Sequence, residues 1–180
     1  MGKLKESLIC RGFHPWEKGT KEIEINGERV KGDWLFGYYA DQKCKGAGFP
    51  VIDPFWRMEE DAEGKARFGR MNPEVMPMDW YVLPDTVGMY TGWDDPDGTP
   101  IFEDDICEAH YDEDNLEDYY RCEVKWQKGT FELYNEIYNE ADPLDDFFTK
   151  YNRVVGNTFE NREMIAEATP WDEEEGKEHD

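Results

Sequence analysis

The chain has 180 residues, a formal net charge of −23 and only 38% hydrophobic residues, yet 15% of it is aromatic. That length suits one domain, or one with a small satellite, and the aromatic rings supply large buried areas in a composition that otherwise leans towards disorder. Without an apolar run of about 18 residues, a secretory signal or clustered Lys and Arg, neither a membrane nor duplex nucleic acid is an expected partner.

Residues 1–50 carry nine Lys/Arg against seven Asp/Glu, residues 51–90 four against eight, and residues 91–180 seven against 28. The second half is therefore a strongly negative body. Such a field recruits cations or basic surfaces, although acidic surfaces also serve solubility alone.

Residues 1–8 lack a periodic pattern and are expected to fray. Lys21 to Lys31 reads as a hairpin: Ile23 and Ile25 alternate with Glu22 and Glu24, and Asn26-Gly27 supplies a type I′ turn. Gly32 is expected to break the run. Asp33 to Ala40 is strand-like, with Trp34, Phe36 and Tyr38 on one face and Gly37 and Tyr39 on the other. Across 41–79, Pro50, Pro54, Pro73 and Pro77 interrupt any long element, and Glu59-Glu60-Asp61 with Gly64 suggests a loop tip. Trp80 to Leu83 is a short apolar strand closed by Pro84.

From Val87 the pattern sharpens. Asp94-Asp95-Pro96-Asp97-Gly98 is a dense turn signal, and a tight turn at Glu103-Asp104 feeds a strand from Asp105 to Tyr111. Residues 112–118 form an acidic loop. Tyr120, Cys122, Val124 and Trp126 alternate with Arg121, Glu123 and Lys125, as in a half-buried antiparallel strand; Gly129 turns it, and Phe131 and Leu133 carry the return. A short helix is expected near 143–151, capped by Asp142, started by Pro143, and striped by Leu144, Phe147, Phe148 and Tyr151. Val154-Val155-Gly156 reads as a last core strand, and the tail from Ala166 as disordered, with Trp171 its only sticky residue.

Cys10 with His14, and Cys107 with His110, have spacings that could contribute zinc ligands. On a strand, however, Cys107 and His110 point to opposite faces, and Cys122 reads as a small core residue. No metal is assigned to these five positions. Disulfides are not expected without an export signal. The carboxylate pairs Asp104/Asp105, Asp112/Asp114 and Asp145/Asp146, and the 94–98 turn, could suggest acid–base or cation chemistry, but they lack the frame of a calcium loop. Ser7 is the only serine, His179 lies in the tail, and Gly46, Gly48, Gly92 and Gly98 form no phosphate loop. Trp34, Phe36, Tyr38 and Tyr39 could stack on single-stranded nucleic acid, but without an adjacent basic groove they read as core or interface.

Asn26 to Tyr39, Thr86 to Ile106 and Arg153 to Asn161 together resemble the YopX family of phage and prophage proteins. The resemblance rests on Tyr90-Thr91-Gly92, Asp97-Gly98, Ile101-Phe102-Glu103, Asp105-Ile106, and Val155-Gly156-Asn157 with Phe159. It covers most of residues 11–165 and is weak across 41–79. Asp104 stands where the family commonly has glycine, so the turn is kept at some strain. The resemblance implies a mainly β protein that self-associates, with no established enzymatic activity and no catalytic residue to carry over.

The expected fold is thus β-rich α+β: a small antiparallel barrel-like core at 87–165, an N-terminal β extension with an irregular Pro-rich segment at 1–86, and an acidic tail at 166–180. The expected role is a cytoplasmic, phage- or prophage-encoded, non-catalytic interaction module that forms homo-oligomers, with no cofactor. An acidic nucleic-acid mimic that occupies a basic DNA-binding protein is the alternative, and a metal-dependent hydrolase using Asp104 and Asp105 a further one.

Overall fold

The computed structural model describes residues 9–40, 51–60, 66–70, 81–110, 119–146 and 148–166. Two antiparallel sheets account for most of them. The first contains β1 (Ile9–Pro15), β2 (Lys21–Ile25), β3 (Glu28–Ala40), β4 (Val51–Glu60), β5 (Ala66–Arg70), β6 (Gly88–Asp94) and β7 (Pro100–Phe102), in the order β5-β4-β3-β1-β6-β7 with β2 also on β3. The second contains β8 (Asp105–His110), β9 (Tyr119–Gln127), β10 (Thr130–Asn135), β11 (Glu140–Pro143) and β12 (Arg153–Asn157), in the order β11-β10-β9-β8-β12. The architecture is mainly β, as expected, with a curled half-barrel sheet. The hairpin β6–β7 lies after residue 86 in sequence, and β6 hydrogen-bonds to β1 before it.

The β2–β3 hairpin forms as its sequence dictates. Asn26 and Gly27 take φ values of 52° and 80°, the left-handed conformations that a type I′ turn requires. Gly32, however, does not break β3, which runs on to Ala40. A Cβ there would stand 2.2 Å from the His14 carbonyl oxygen and 2.6 Å from the Phe13 ring. At this glycine β1 and the Phe13 ring lie close against β3, so it permits the pairing instead of ending it.

β1 is buried on both faces. Phe13 pairs with Trp34 and Arg11 with Phe36 on one face, while Cys10 packs with Leu35 and Val82 on the other. In the second sheet, Cys107, Ala109, Tyr120, Cys122, Val124 and Leu133 form the inner core with Ile101 and Leu144. Two-residue periodicity makes β7 the connector: Ile101 enters this second core, and its neighbour Phe102 packs against Phe36 of the first sheet with ring centroids 5.4 Å apart.

The expected short helix is present as α1 (Phe148–Tyr151), a single turn. Its predicted start is displaced. Asp142 and Pro143 belong to β11, paired to Leu133 and Glu132, and the Leu144 amide donates to the Phe131 carbonyl. The ladder with β10 holds these residues extended and overrides their capping preference. A further single-turn helix, α2 (Glu163–Ala166), lies beyond the last strand and packs on β9. The segment at 41–79, read as interrupted by prolines with a loop tip near Glu59-Glu60-Asp61 and Gly64, contains the β4–β5 hairpin, and β4 runs through Pro54. The expected frayed start, acidic loop at 112–118 and tail after Ala166 lie outside the described residues, as does Phe147.

Candidate functional site

A buried ion pair joins β1 to the start of β8. Arg11 is 6% exposed and Asp105 is 1% exposed. One Arg11 Nη bonds Asp105 Oδ1, and the other donates to the Glu103 carbonyl oxygen at 2.9 Å. The guanidinium carbon lies 4.9 Å from the Trp34 ring centroid and 5.5 Å from that of Phe102. A desolvated cation between aromatic rings gains from their quadrupoles as well as from its carboxylate. Asp105 Oδ2 accepts the Phe102 amide at 2.8 Å. Burial raises the Asp105 carboxyl above its usual range, while Arg11 and the Phe102 amide pull it back. Both of its oxygens are therefore occupied within the protein.

Asp104 forms the corner between β7 and β8. Its φ of 66° is the left-handed conformation that glycine would adopt freely. Its amide donates to the Val124 carbonyl and its own carbonyl accepts from Thr158, so the corner joins β9 to the segment after β12. Burial, then the neighbouring Glu103 charge, push its carboxyl up to about 6.

The other motif residues brace the same junction. The Thr91 hydroxyl donates to the Ile101 carbonyl at 2.9 Å, and Gly92 and Gly98 take φ values of 89° and 81°. Asp95, from the acidic turn, accepts the Asp97 and Thr99 amides on Oδ1 and the Val154 amide on Oδ2 at 3.2 Å. It is a turn cap tied to β12. Asn157 Oδ1 accepts the Phe159 and Glu160 amides, each at 3.0 Å. At Gly156 a Cβ would lie 2.5 Å from Asn161 Oδ1, so the glycine makes room for that side chain. Glu160 then receives Trp34 Nε1 on one oxygen and Lys21 Nζ on the other at 3.1 Å, which clamps the first sheet to the end of the second.

The Cys and His positions whose spacing could suit zinc do not converge. Cys10 and His14 share a face of β1, but four residues of strand separate their Cα atoms by about 13 Å. The His14 Nδ1 is 2.7 Å from the Tyr81 carbonyl oxygen, and Cys10 packs in an apolar cluster where burial pushes its thiol up to about 11. Cys107 and Cys122 are direct cross-strand partners in the second core, with thiols raised by burial. His110 lies on the opposite face, beside Tyr119. Among the described residues no three His, Cys, Asp or Glu side chains are placed to hold a metal.

Asp145 and Asp146 are exposed; Asp112, Asp114, Ser7 and His179 lie outside the described residues. Trp34 is packed by Phe13 and Phe159 at 5.2 and 5.7 Å, and Phe36 by Phe102, so these rings are inside the junction. Nor do the acidic side chains on the outer face of the second sheet form an unbroken row. Arg153, Glu108 and Arg121 lie opposite one another across β12, β8 and β9, and Glu132 faces Lys125 across β9 and β10.

A model of the YopX protein family matches residues 54–166. The chain belongs to the YopX family. The motifs at Tyr90–Ile106 and Val155–Phe159 fall inside the YopX span, whereas the Asn26–Tyr39 part of the resemblance falls outside it. A comparison with curated proteins found no match. Arg11 and Trp34, first-sheet residues that contact the motif side chains Asp105 and Phe159, also lie before the matched span. Arg11 carried no signal in the sequence, because its partner is 94 positions away. Among the described residues no helix is long and apolar enough to cross a membrane.

Proposed function

We propose that this YopX-family chain is a non-catalytic, self-associating protein-interaction module, encoded by a phage or prophage and acting in the bacterial cytoplasm. One observation carries the reading. The inner face of β9, which buries Tyr120, Cys122 and Val124, continues to Trp126, and Trp126 is 45% exposed. It stacks edge-on against Phe131 at 4.7 Å, so the core face runs out to the surface as an aromatic pair. An apolar face that reaches solvent in so polar a chain is a natural contact surface. The inward use of Asp95, Asp105 and Asn157 as braces supports the non-catalytic part: these side chains hold the sheets together through their own hydrogen bonds.

Like charge opposes association of a chain with a net charge of −23, and salt screens it. Light scattering coupled to size exclusion should therefore show assembly that tightens from low to high salt. Trp126→Glu should shift the chain to monomer while leaving its circular dichroism intact. A strict monomer at both salt concentrations would overturn the reading.

A further inference from the structure

β11 ends the order of the five-stranded sheet, and among the described residues no strand pairs with its outer side. All four of its residues are exposed. The outward backbone groups of such an edge, apart from the N–H that Pro143 lacks, are a template for another extended chain. Strand alternation puts Glu140 and Asp142 on one face, about 7 Å apart, and Ala141 on the other. Their cross-strand neighbours on β10 are Asn135 and Leu133, neither of which is cationic. Asp145 and the Lys150-paired Asp146 extend the negative rim.

The other acidic edge, β2, differs in a decisive way. Glu22 faces Lys31 and Glu24 faces Arg29 across the hairpin, and Arg29 reaches Glu22 at 3.5 Å. Its carboxylates already have cations opposite them. A second copy of β11 is a poor occupant for the β11 edge, because like charges would meet across the new ladder. A strand with cations at alternate positions suits it on both counts, backbone and charge.

We propose that β11 receives, by strand addition, an extended basic segment of a partner protein that places Lys or Arg opposite Glu140 and Asp142. The interaction is separate from self-association, and its readout is separate too. The probe is a fluorescent eight-residue peptide of alternating Lys and Val, titrated by anisotropy against the full chain. A block peptide of the same composition, Lys-Lys-Val-Val repeated twice, has no two Lys at i and i+2 and serves as comparison. The alternating peptide should bind about tenfold tighter than the block peptide, since only it carries Lys at i and i+2, the spacing of Glu140 and Asp142 on one strand face. The double substitution E140K/D142K should lose about that factor, while E22K/E24K on β2 should change binding less than about twofold. Amide exchange at residues 140–142 should slow on binding. Equal affinity for the two peptides, equal loss in the two variants, or no binding of the alternating peptide would each overturn the proposal.

Discussion

Asp105 and Asp142 are the same side chain on two strands of one sheet, and they have opposite fates. Asp105 opens a central strand, 1% exposed, with Arg11 on one oxygen and the Phe102 amide on the other. Asp142 lies on the exposed edge strand β11, facing Leu133 across the ladder. In the first position a carboxylate links two sheets; in the second it stays at the surface of one. The difference lies in strand order and in what the other sheet brings against each site, not in the residue. Counting acids by sequence therefore says little about where their energy acts.

The largest effect that would sharpen this contrast comes from Asp105→Ala, which leaves the Arg11 cation buried without its carboxylate. Such a loss costs about 3–5 kcal/mol, read as a drop in the urea midpoint. The double replacement Arg11→Met with Asp105→Leu should recover part of it, since a buried pair is often no better than well-packed apolar side chains, while the Phe102 amide and the Glu103 carbonyl lose their partners. A small effect of the single change would place Asp105 with the surface acids.

Asp104 tests the same junction with the opposite sign. Replacing it with glycine removes a left-handed Asp and a half-buried carboxylate, and should stabilise the fold at neutral pH by about 1 kcal/mol. Its carboxyl is raised from an ordinary value of 3.8 to about 6, so the folded state holds that proton more tightly than the unfolded chain. The wild-type stabilisation from this group is full below the ordinary value and is lost as pH rises through about 6. Denaturation curves between pH 4 and 7, numbers that bracket that window, should show this slope in the wild type and its loss in Asp104→Gly.

The smallest effect belongs to the rim. E140K/D142K should change stability by less than about 0.5 kcal/mol, because exposed acids without close cationic partners contribute little to folding. A large loss would mean that the edge strand depends on these charges, and would erase the contrast with Asp105.

Much of the fold was legible. The Asn26-Gly27 turn, the alternation through Tyr120–Trp126 and the Val154–Gly156 strand each follow from local rules that the sequence states directly. Gly32 was misread because a strand breaker and a point of close strand approach look alike until the Phe13 ring is in place. The start of α1 was misread because Asp142 and Pro143 are good helix initiators alone, yet pair with β10 in the fold. The candidate site was legible by halves. Asp104, Asp105 and Asn157 stood out within motifs, while Arg11, and Trp34's bond to Glu160, did not, since long-range partners leave no local pattern.

By itself the sequence determined a mainly β chain with specified turns, an acidic second half and YopX motifs, because period-two patterning and left-handed turn residues act over a few neighbours. Only the tertiary structure decided which acids are braces and which are surface. Desolvation and ion pairing depend on what two distant segments bring together, and that is set when the sheets pack.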